Sequence, residues 1–109
     1  MASEFVDLRD RLRFFAEARD WDQFHSPKNL AAALSVEAAE LLEHFQWLKE
    51  ADSFALSPEK RAEVAEEIAD VLLYLVRLAD KLDIDVHDAA LRKIDVNAQI
   101  ASPGPMARR

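Results

Sequence analysis

The sequence predicts an all-α protein with four helices in each chain and a central antiparallel helix hairpin. Glycine occurs once and proline four times in 109 residues, which leaves little room for the turns of an all-β fold. Alanine, leucine and glutamate, which favour helix, are frequent. Apolar residues recur at helical spacing in successive segments. The length suits one domain with a real core.

The first two helices are predicted at residues 3–19 and 27–49. Apolar residues lie at helical spacing in the first helix, namely Phe5, Leu8, Leu12 and Phe15. The segment DWDQFHS then connects it to the second helix. Ser26 can cap that helix, and Pro27 suits its first position.

The last two helices are predicted at residues 58–82 and 86–98, after a loop at residues 50–56. Ser57 and Pro58 repeat the start signal of the second helix, and Asp85 can cap the fourth. Residues 1–98 should therefore form a single all-α domain. Residues 99–109 are expected to be a mobile tail.

The composition excludes several classes of function. The formal net charge of -7 should repel nucleic acid, and a phosphate substrate would need a metal cation as intermediary. The absence of cysteine excludes disulfides and thiolate chemistry. The N-terminal residues carry acids and no apolar segment, so we expect no signal peptide. The longest apolar run, residues 71–76, is too short to span a bilayer. We therefore expect a cytoplasmic protein that binds neither nucleic acid polymers nor membranes.

A carboxylate falls inside the apolar arc of the second helix. On a helical wheel Glu37 lies between Leu30 and Leu41, although a lone buried carboxylate is costly unless it is paired or binds a metal. Glu40 lies on the shoulder of the same arc, together with Trp47. Glu43 falls on the polar side and needs no special explanation.

The third helix carries a second acidic line. Glu67, Asp70 and Tyr74 follow one another along the edge of its apolar arc, while Glu66 and Arg77 should turn further towards solvent. The near-continuous apolar run at residues 71–76 is too broad for one neighbouring helix layer to cover. A second subunit could cover it.

Counting outward from the short loop predicts that the two acidic lines meet. Glu40 precedes Lys49 by nine residues and Glu67 follows Pro58 by nine, so Glu40 should lie level with Glu67, and Glu37 with Asp70. Four carboxylates that converge in this way would repel one another, and a divalent cation would hold them together. Oxygen ligands suit Mg²⁺ or Mn²⁺. The alternative is ion pairing with Lys or Arg of neighbouring helices or another subunit.

These residues resemble the signature of the MazG-like all-α nucleoside triphosphate pyrophosphohydrolases. The signature consists of Glu37-x-x-Glu40, 26 intervening residues and Glu67-x-x-Asp70. The segments ARDWDQFHSPKNL, FQWL and DVLLYLVRLAD make the chain most similar to the dCTP pyrophosphatase branch, over about residues 14–97.

The resemblance implies Mg²⁺-dependent hydrolysis of a (deoxy)nucleoside triphosphate to the monophosphate and pyrophosphate, as nucleotide-pool house-cleaning. It implies metal ligation by Glu37, Glu40, Glu67 and Asp70, with Mn²⁺ as a possible substitute. A carboxylate not fully engaged with metal could act as the general base, and Glu40 is our candidate. The resemblance also implies a homodimer or homotetramer, whose subunits pack their hairpins into four-helix bundles.

Seven further residues are candidates for substrate binding, five by this resemblance and two by their place at the start of the second helix. Three aromatic residues could contact the base, two residues on the fourth helix could hold phosphates, and two near the start of the second helix could attract anions. They are, in that order, Trp21, Trp47 and Tyr74; Lys93 and Asn97; His25 and Lys28. Each also has a simpler explanation, as a core, interface, capping or surface residue. Leu12 departs from the pattern, because similar animal enzymes carry a histidine near the base there.

Two other classes of function stay open from the sequence. One is a related enzyme branch, either dUTPase-like or a phosphoribosyl-ATP pyrophosphohydrolase. The other is a non-catalytic helical dimerisation or metal-binding module. The candidate base-stacking aromatics favour a nucleotide-clearing branch, and the complete set of four acids favours activity.

Overall fold

The computed structural model describes residues 3–100 and contains four helices and no strand in that range. The helices are α1 (Ser3–Ala18), α2 (Pro27–Glu43), α3 (Pro58–Lys81) and α4 (Val86–Ile100). Short 3₁₀ turns at Asp22–Phe24 and Asp52–Phe54 lie in the connections before α2 and α3. The predicted all-α class with four helices is confirmed.

The three predicted helix starts are formed by side-chain caps. The Ser26 hydroxyl accepts a hydrogen bond from the Asn29 backbone N–H at 3.1 Å. Ser57 does the same for Lys60 at 3.1 Å, and Asp85 accepts from the Asp88 N–H at 2.9 Å. Each cap satisfies one of the N–H groups that the first helical turn leaves without a partner.

Two helices end in left-handed caps that contain aspartate rather than glycine. Asp20 follows α1 with φ 59°, and Asp83 follows α3 with φ 56°. After α1, the Trp21 N–H donates to the Ala16 carbonyl at 2.8 Å, which is the long hydrogen bond of a Schellman motif. Aspartate tolerates this conformation better than most residues do. The motif fixes the direction in which the chain leaves α1 and so places Trp21.

Helix α2 ends at Glu43, six residues before the predicted end at 49, and this corrects the sequence-based boundary. The His44 N–H bonds to the Leu41 carbonyl at 3.2 Å and the Phe45 N–H to the Leu42 carbonyl at 2.9 Å, so the helical turn tightens there. Irregular turns follow, and the wheel that placed Trp47 beside Glu40 does not apply. Helix α4 extends to Ile100, and residues 101–109 of the predicted tail lie outside the described residues.

Helices α2 and α3 form the predicted antiparallel hairpin, and α1 packs against α3. The buried apolar side chains of the described residues are mostly small: Ala16, Leu30, Val64, Val76 and Ala79. Helix α4 contributes no buried residue and touches α1 through the rings of Phe5 and His87, whose centroids are 6.3 Å apart. The core within one chain is therefore small.

Every helix leaves large apolar side chains exposed. On α3, Ile68 lies in the predicted apolar arc yet is 53% exposed. Others include Phe14 on α1, Val36 on α2 and Ile94 on α4. None of the described helices combines the length and apolarity needed to cross a membrane.

Candidate metal and nucleotide site

The hairpin brings the predicted acids together midway along α2 and α3. Glu37, Glu67 and Asp70 each offer one carboxylate oxygen, and these three oxygens all lie within 4.8 Å of one another. Glu40 lies outside this group of three, but its carboxylate is close enough to contribute to the raised pKa of Glu67. The four acids chosen from the sequence thus form one acid cluster in the folded chain.

Glu67 occupies the centre of the acid cluster. Its Oε2 atom is shielded from solvent and has no hydrogen-bond partner among the described residues. Burial, followed by the proximity of Glu37 and Glu40, raises the pKa of Glu67 to about 7. Ionised carboxylates only accept hydrogen bonds, so neighbouring acids cannot satisfy one another without a shared proton or a cation.

The acid cluster fits a divalent cation. No Lys or Arg within residues 3–100 makes an ion pair with any of its four members, although Glu63 and Asp80 of α3 are paired. Pairing within the described chain therefore does not explain the cluster. Its ligand atoms are all carboxylate oxygens, a donor set that suits Mg²⁺ or Mn²⁺ better than zinc or copper. An orphaned buried oxygen at the centre is the atom that such an ion would satisfy.

A cavity of about 200 Å³ adjoins the acid cluster. Asp70 belongs to both, since it contributes to the cluster and also lines the cavity. Three predicted substrate-binding residues meet here, namely Trp21, His25 and Tyr74. The rest of the lining consists of Leu12, Phe15, Ala16, Leu73 and Arg77. The structure thus places aromatic and apolar walls next to a candidate cation site.

Trp21 is held at the cavity by contacts with the end of α1. Its ring meets the Phe15 ring edge-on, with centroids 5.4 Å apart and an interplanar angle of 73°. The Arg19 guanidinium covers a face of the Phe15 ring, since its carbon lies 3.6 Å from the ring centroid.

Arg77 corrects a sequence-based expectation, because it is 4% exposed rather than directed towards solvent. Its Nε donates to His25 Nδ1 at 3.1 Å, and its Nη2 donates to Asp22. Lys81 Nζ also donates to Asp22, at 2.7 Å. These contacts tie the connection between α1 and α2 to the C-terminal half of α3, and so hold Trp21 and His25 over the cavity.

Four other candidate residues do not line this cavity. Lys28 is exposed near the start of α2, and Lys93 is exposed on α4. Trp47 is 86% exposed in the turn after α2, and Asn97 is half-buried on α4. Within one described chain, none of these four residues therefore contributes to the cavity.

Sequence reasoning missed Arg77, Phe15 and Leu73 as residues of the site. The helical wheel places Arg77 outside the apolar arc of α3. A wheel holds no information about the acidic connection between α1 and α2, which packs against this residue. Asp22 and His25 in the segment DWDQFHS were the available signal, since both can pair with a buried arginine.

The family of the chain follows from comparison with known proteins. Residues 32–103 match the model of the MazG-like family. The chain belongs to the MazG-like family. The predicted kinship is thereby confirmed.

Several proteins that are similar to this chain carry the name pyrophosphatase. The chain is 45% identical to rat dCTP pyrophosphatase 1 over 85% of its own length, and 43% identical to the human protein of that name over 94%. It spans only 56% of the rat protein and 61% of the human one. The crystal structure of a pyrophosphatase from Archaeoglobus fulgidus is 42% identical, with a TM-score of 0.84 over 93% of this chain and 94% of that one.

Metal binding to this protein should release a proton from Glu67. Near pH 6 the raised pKa keeps most of this carboxyl protonated, and a cation needs it ionised, so about one proton should leave. Near pH 8 little proton release is expected, and affinity should weaken as pH falls through about 7. Calorimetric titration of Mn²⁺ in buffers of different ionisation enthalpy measures this. Equal proton release at both pH values would contradict the assignment.

Proposed function

We propose that this protein hydrolyses a (deoxy)nucleoside triphosphate between its α and β phosphates, giving the monophosphate and pyrophosphate. The observation that carries the proposal is the double role of Asp70, which joins an acid cluster suited to a cation to a cavity lined by aromatic side chains. A nucleoside triphosphate has the matching parts, a polyanion and a planar base. Similarity to proteins named dCTP pyrophosphatase 1 and pyrophosphatase supports it.

The residues of the acid cluster divide the chemistry between them. Glu37, Glu67 and Asp70 would hold Mg²⁺, with Mn²⁺ as a substitute, and Glu40 would remain less engaged. The bound cation supplies neutralisation of the phosphate oxygens. Glu40 is then our candidate general base: it accepts a proton from the water whose oxygen attacks the α-phosphorus. The bond from that phosphorus to the bridging oxygen breaks, and pyrophosphate leaves.

The cavity supports a preference for pyrimidine bases such as cytosine or a modified cytosine. Trp21 and Tyr74 supply aromatic faces, and stacking on such faces tolerates any base. Selection must therefore come from space and from hydrogen bonds. A cavity of about 200 Å³, bounded by Leu12 and Leu73, favours a pyrimidine, which is smaller than a purine. We assign the activity to the control of nucleotide pools, in keeping with the expectation of a cytoplasmic protein.

A second copy of the chain would complete the site. Trp47, Lys93 and Asn97 do not line the cavity of their own chain, and apolar side chains stand exposed on every helix. Packing of hairpins from two subunits would cover those side chains and could bring Trp47 or the α4 residues to a neighbour's nucleotide. We therefore propose a homodimer or homotetramer as the active form.

Glu37→Gln should preserve folding and lower turnover by on the order of 10²-fold, because the amide keeps the shape but loses the charge that holds the cation. Glu43→Gln on the exposed side of the same helix is the matched control, and it should keep the parent turnover. Pyrophosphate release with and without Mg²⁺ measures both variants. Normal turnover in Glu37→Gln would rule out the metal assignment.

Pyrimidine triphosphates should be hydrolysed well ahead of purine triphosphates. Rates of pyrophosphate release from dCTP, 5-methyl-dCTP, dUTP, dATP and dGTP under one set of conditions test this. Fastest cleavage of dCTP or its 5-substituted form is the expected result, because the pocket is narrow. Equal cleavage of dATP and dGTP would refute the pocket argument and leave the pyrophosphohydrolase proposal intact. Fastest cleavage of dUTP would favour the dUTPase-like branch.

The active protein should be an oligomer at micromolar concentration. Ile68→Glu should dissociate it and reduce activity, because a charge would replace a half-exposed apolar side chain on α3. Ile68→Leu is the control, and it should leave both mass and activity unchanged. Light scattering coupled to size exclusion gives the mass. A monomer with full activity would contradict the proposal of an oligomeric active form.

A further inference from the structure

Arg77 is a buried cation with three partners on two segments of the chain. Arginine stays charged in proteins, so its burial must be matched by acceptors. Nη2 donates to Asp22, Nη1 donates to Asp80 at 3.4 Å, and Nε donates to His25 Nδ1 at 3.1 Å. Two of these partners are carboxylates, which are ordinary partners for a guanidinium. The third is a neutral ring nitrogen on the cavity wall.

The hydrogen bond to His25 determines where the ring proton sits. A guanidinium has only donors, so the nitrogen that faces it must be unprotonated. With Nδ1 as the acceptor, the imidazole is neutral and carries its proton on Nε2. Burial and the positive charges of Arg77 and Lys81 lower the pKa of His25, while Asp22 opposes them, and the balance also favours a neutral ring.

We propose that Arg77 is a positioning residue that locks His25 in the Nε2–H tautomer, so that His25 presents one hydrogen-bond donor to the nucleotide in the cavity. The proposal rests on the proposed function and names a requirement of the substrate at that site. The ligand must place a hydrogen-bond acceptor, such as a ring carbonyl oxygen of the base, opposite this donor. Much of the remaining wall is apolar, with Leu12, Phe15 and Leu73, so a donor held in one fixed direction has a large effect on orientation.

Asp22 and Asp80 keep a second donor when Arg77 is lost, whereas His25 does not. Asp22 keeps Lys81 at 2.7 Å, and Asp80 keeps Arg13, whose Nε donates to it at 3.1 Å. The His25 side chain has no second partner within the described part of the chain. Loss of the guanidinium therefore removes one donor from each carboxylate, but it removes the only side-chain hydrogen bond that the imidazole makes within the described residues.

The tautomer can be read directly by nitrogen-15 NMR of the imidazole ring in the full chain, without nucleotide, at about pH 8, above the pKa of the ring. The expected result is an unprotonated Nδ1 and a protonated Nε2. A ring with its proton on Nδ1, or an imidazolium, would overturn the inference. This readout needs no catalysis. Failure to hydrolyse any nucleoside triphosphate would therefore count against the proposed function, separately from the tautomer.

Arg77→Met keeps the length of the side chain and removes the donor. It should average the two His25 tautomers, raise KM for dCTP by about 10-fold and change kcat little, since only ligand positioning is lost. The matched control is Lys81→Met, one helical turn further along α3, which also loosens Asp22 but leaves the hydrogen bond between Arg77 and His25 in place. It should keep the tautomer and raise KM less than Arg77→Met does, by the share that anchoring of the segment contributes. Equal KM effects in both variants would show that anchoring of the segment matters rather than the tautomer.

A double-mutant cycle separates the proposed role from general stability. In a His25→Leu background the donor is already absent, so Arg77→Met should add little to KM. Additive effects of the two substitutions would overturn the proposal, because Arg77 would then act without His25.

Discussion

The crowding of carboxylates at the middle of the α2–α3 hairpin is the constraint on which the rest of the structure depends. Three oxygens within 4.8 Å, together with Glu40 beside Glu67, cannot all carry charge without compensation. The helices hold them there because both acidic lines follow the edges of apolar arcs that pack together. A shared proton on Glu67 can relieve the repulsion in the absence of a cation. A divalent cation relieves it fully and joins the site to phosphate chemistry.

Helix α3 connects this acid cluster to the binding cavity. Its N-terminal half carries Glu67, and Asp70 stands where the cluster and the cavity meet. Its C-terminal half carries Arg77 and Lys81, which hold the acidic connection between α1 and α2. Opposite charges are thus separated along one helix: uncompensated acids face the proposed phosphate site, whereas the cations Arg77 and Lys81 are matched by Asp22 and Asp80. This separation leaves the acid cluster free to bind an external cation.

The parts of the fold that depend on local chemistry were predictable from the sequence. Ser-Pro pairs and Asp85 marked three helix starts, and counting residues from the loop brought Glu37, Glu67 and Asp70 together. The end of α2 was predicted six residues too late because no glycine or proline marks the turn at His44, whereas the predicted ends of α1 and α3 lie within one residue of those observed. Burial of Arg77 was unpredictable from a wheel, since it depends on a connection that packs from another part of the chain. The position of Trp47 was misjudged because α2 ends before reaching it.

The central claim is that the acid cluster holds a divalent cation, and anomalous diffraction from a crystal soaked in Mn²⁺ tests it most directly. The account predicts a manganese peak bounded by carboxylate oxygens of Glu37, Glu67 and Asp70, next to the cavity that contains Trp21 and Tyr74. Glu37→Gln crystals soaked in parallel should lose the peak. A Lys or Arg side chain from another subunit paired with the four acids, with manganese absent or bound elsewhere, would contradict the account.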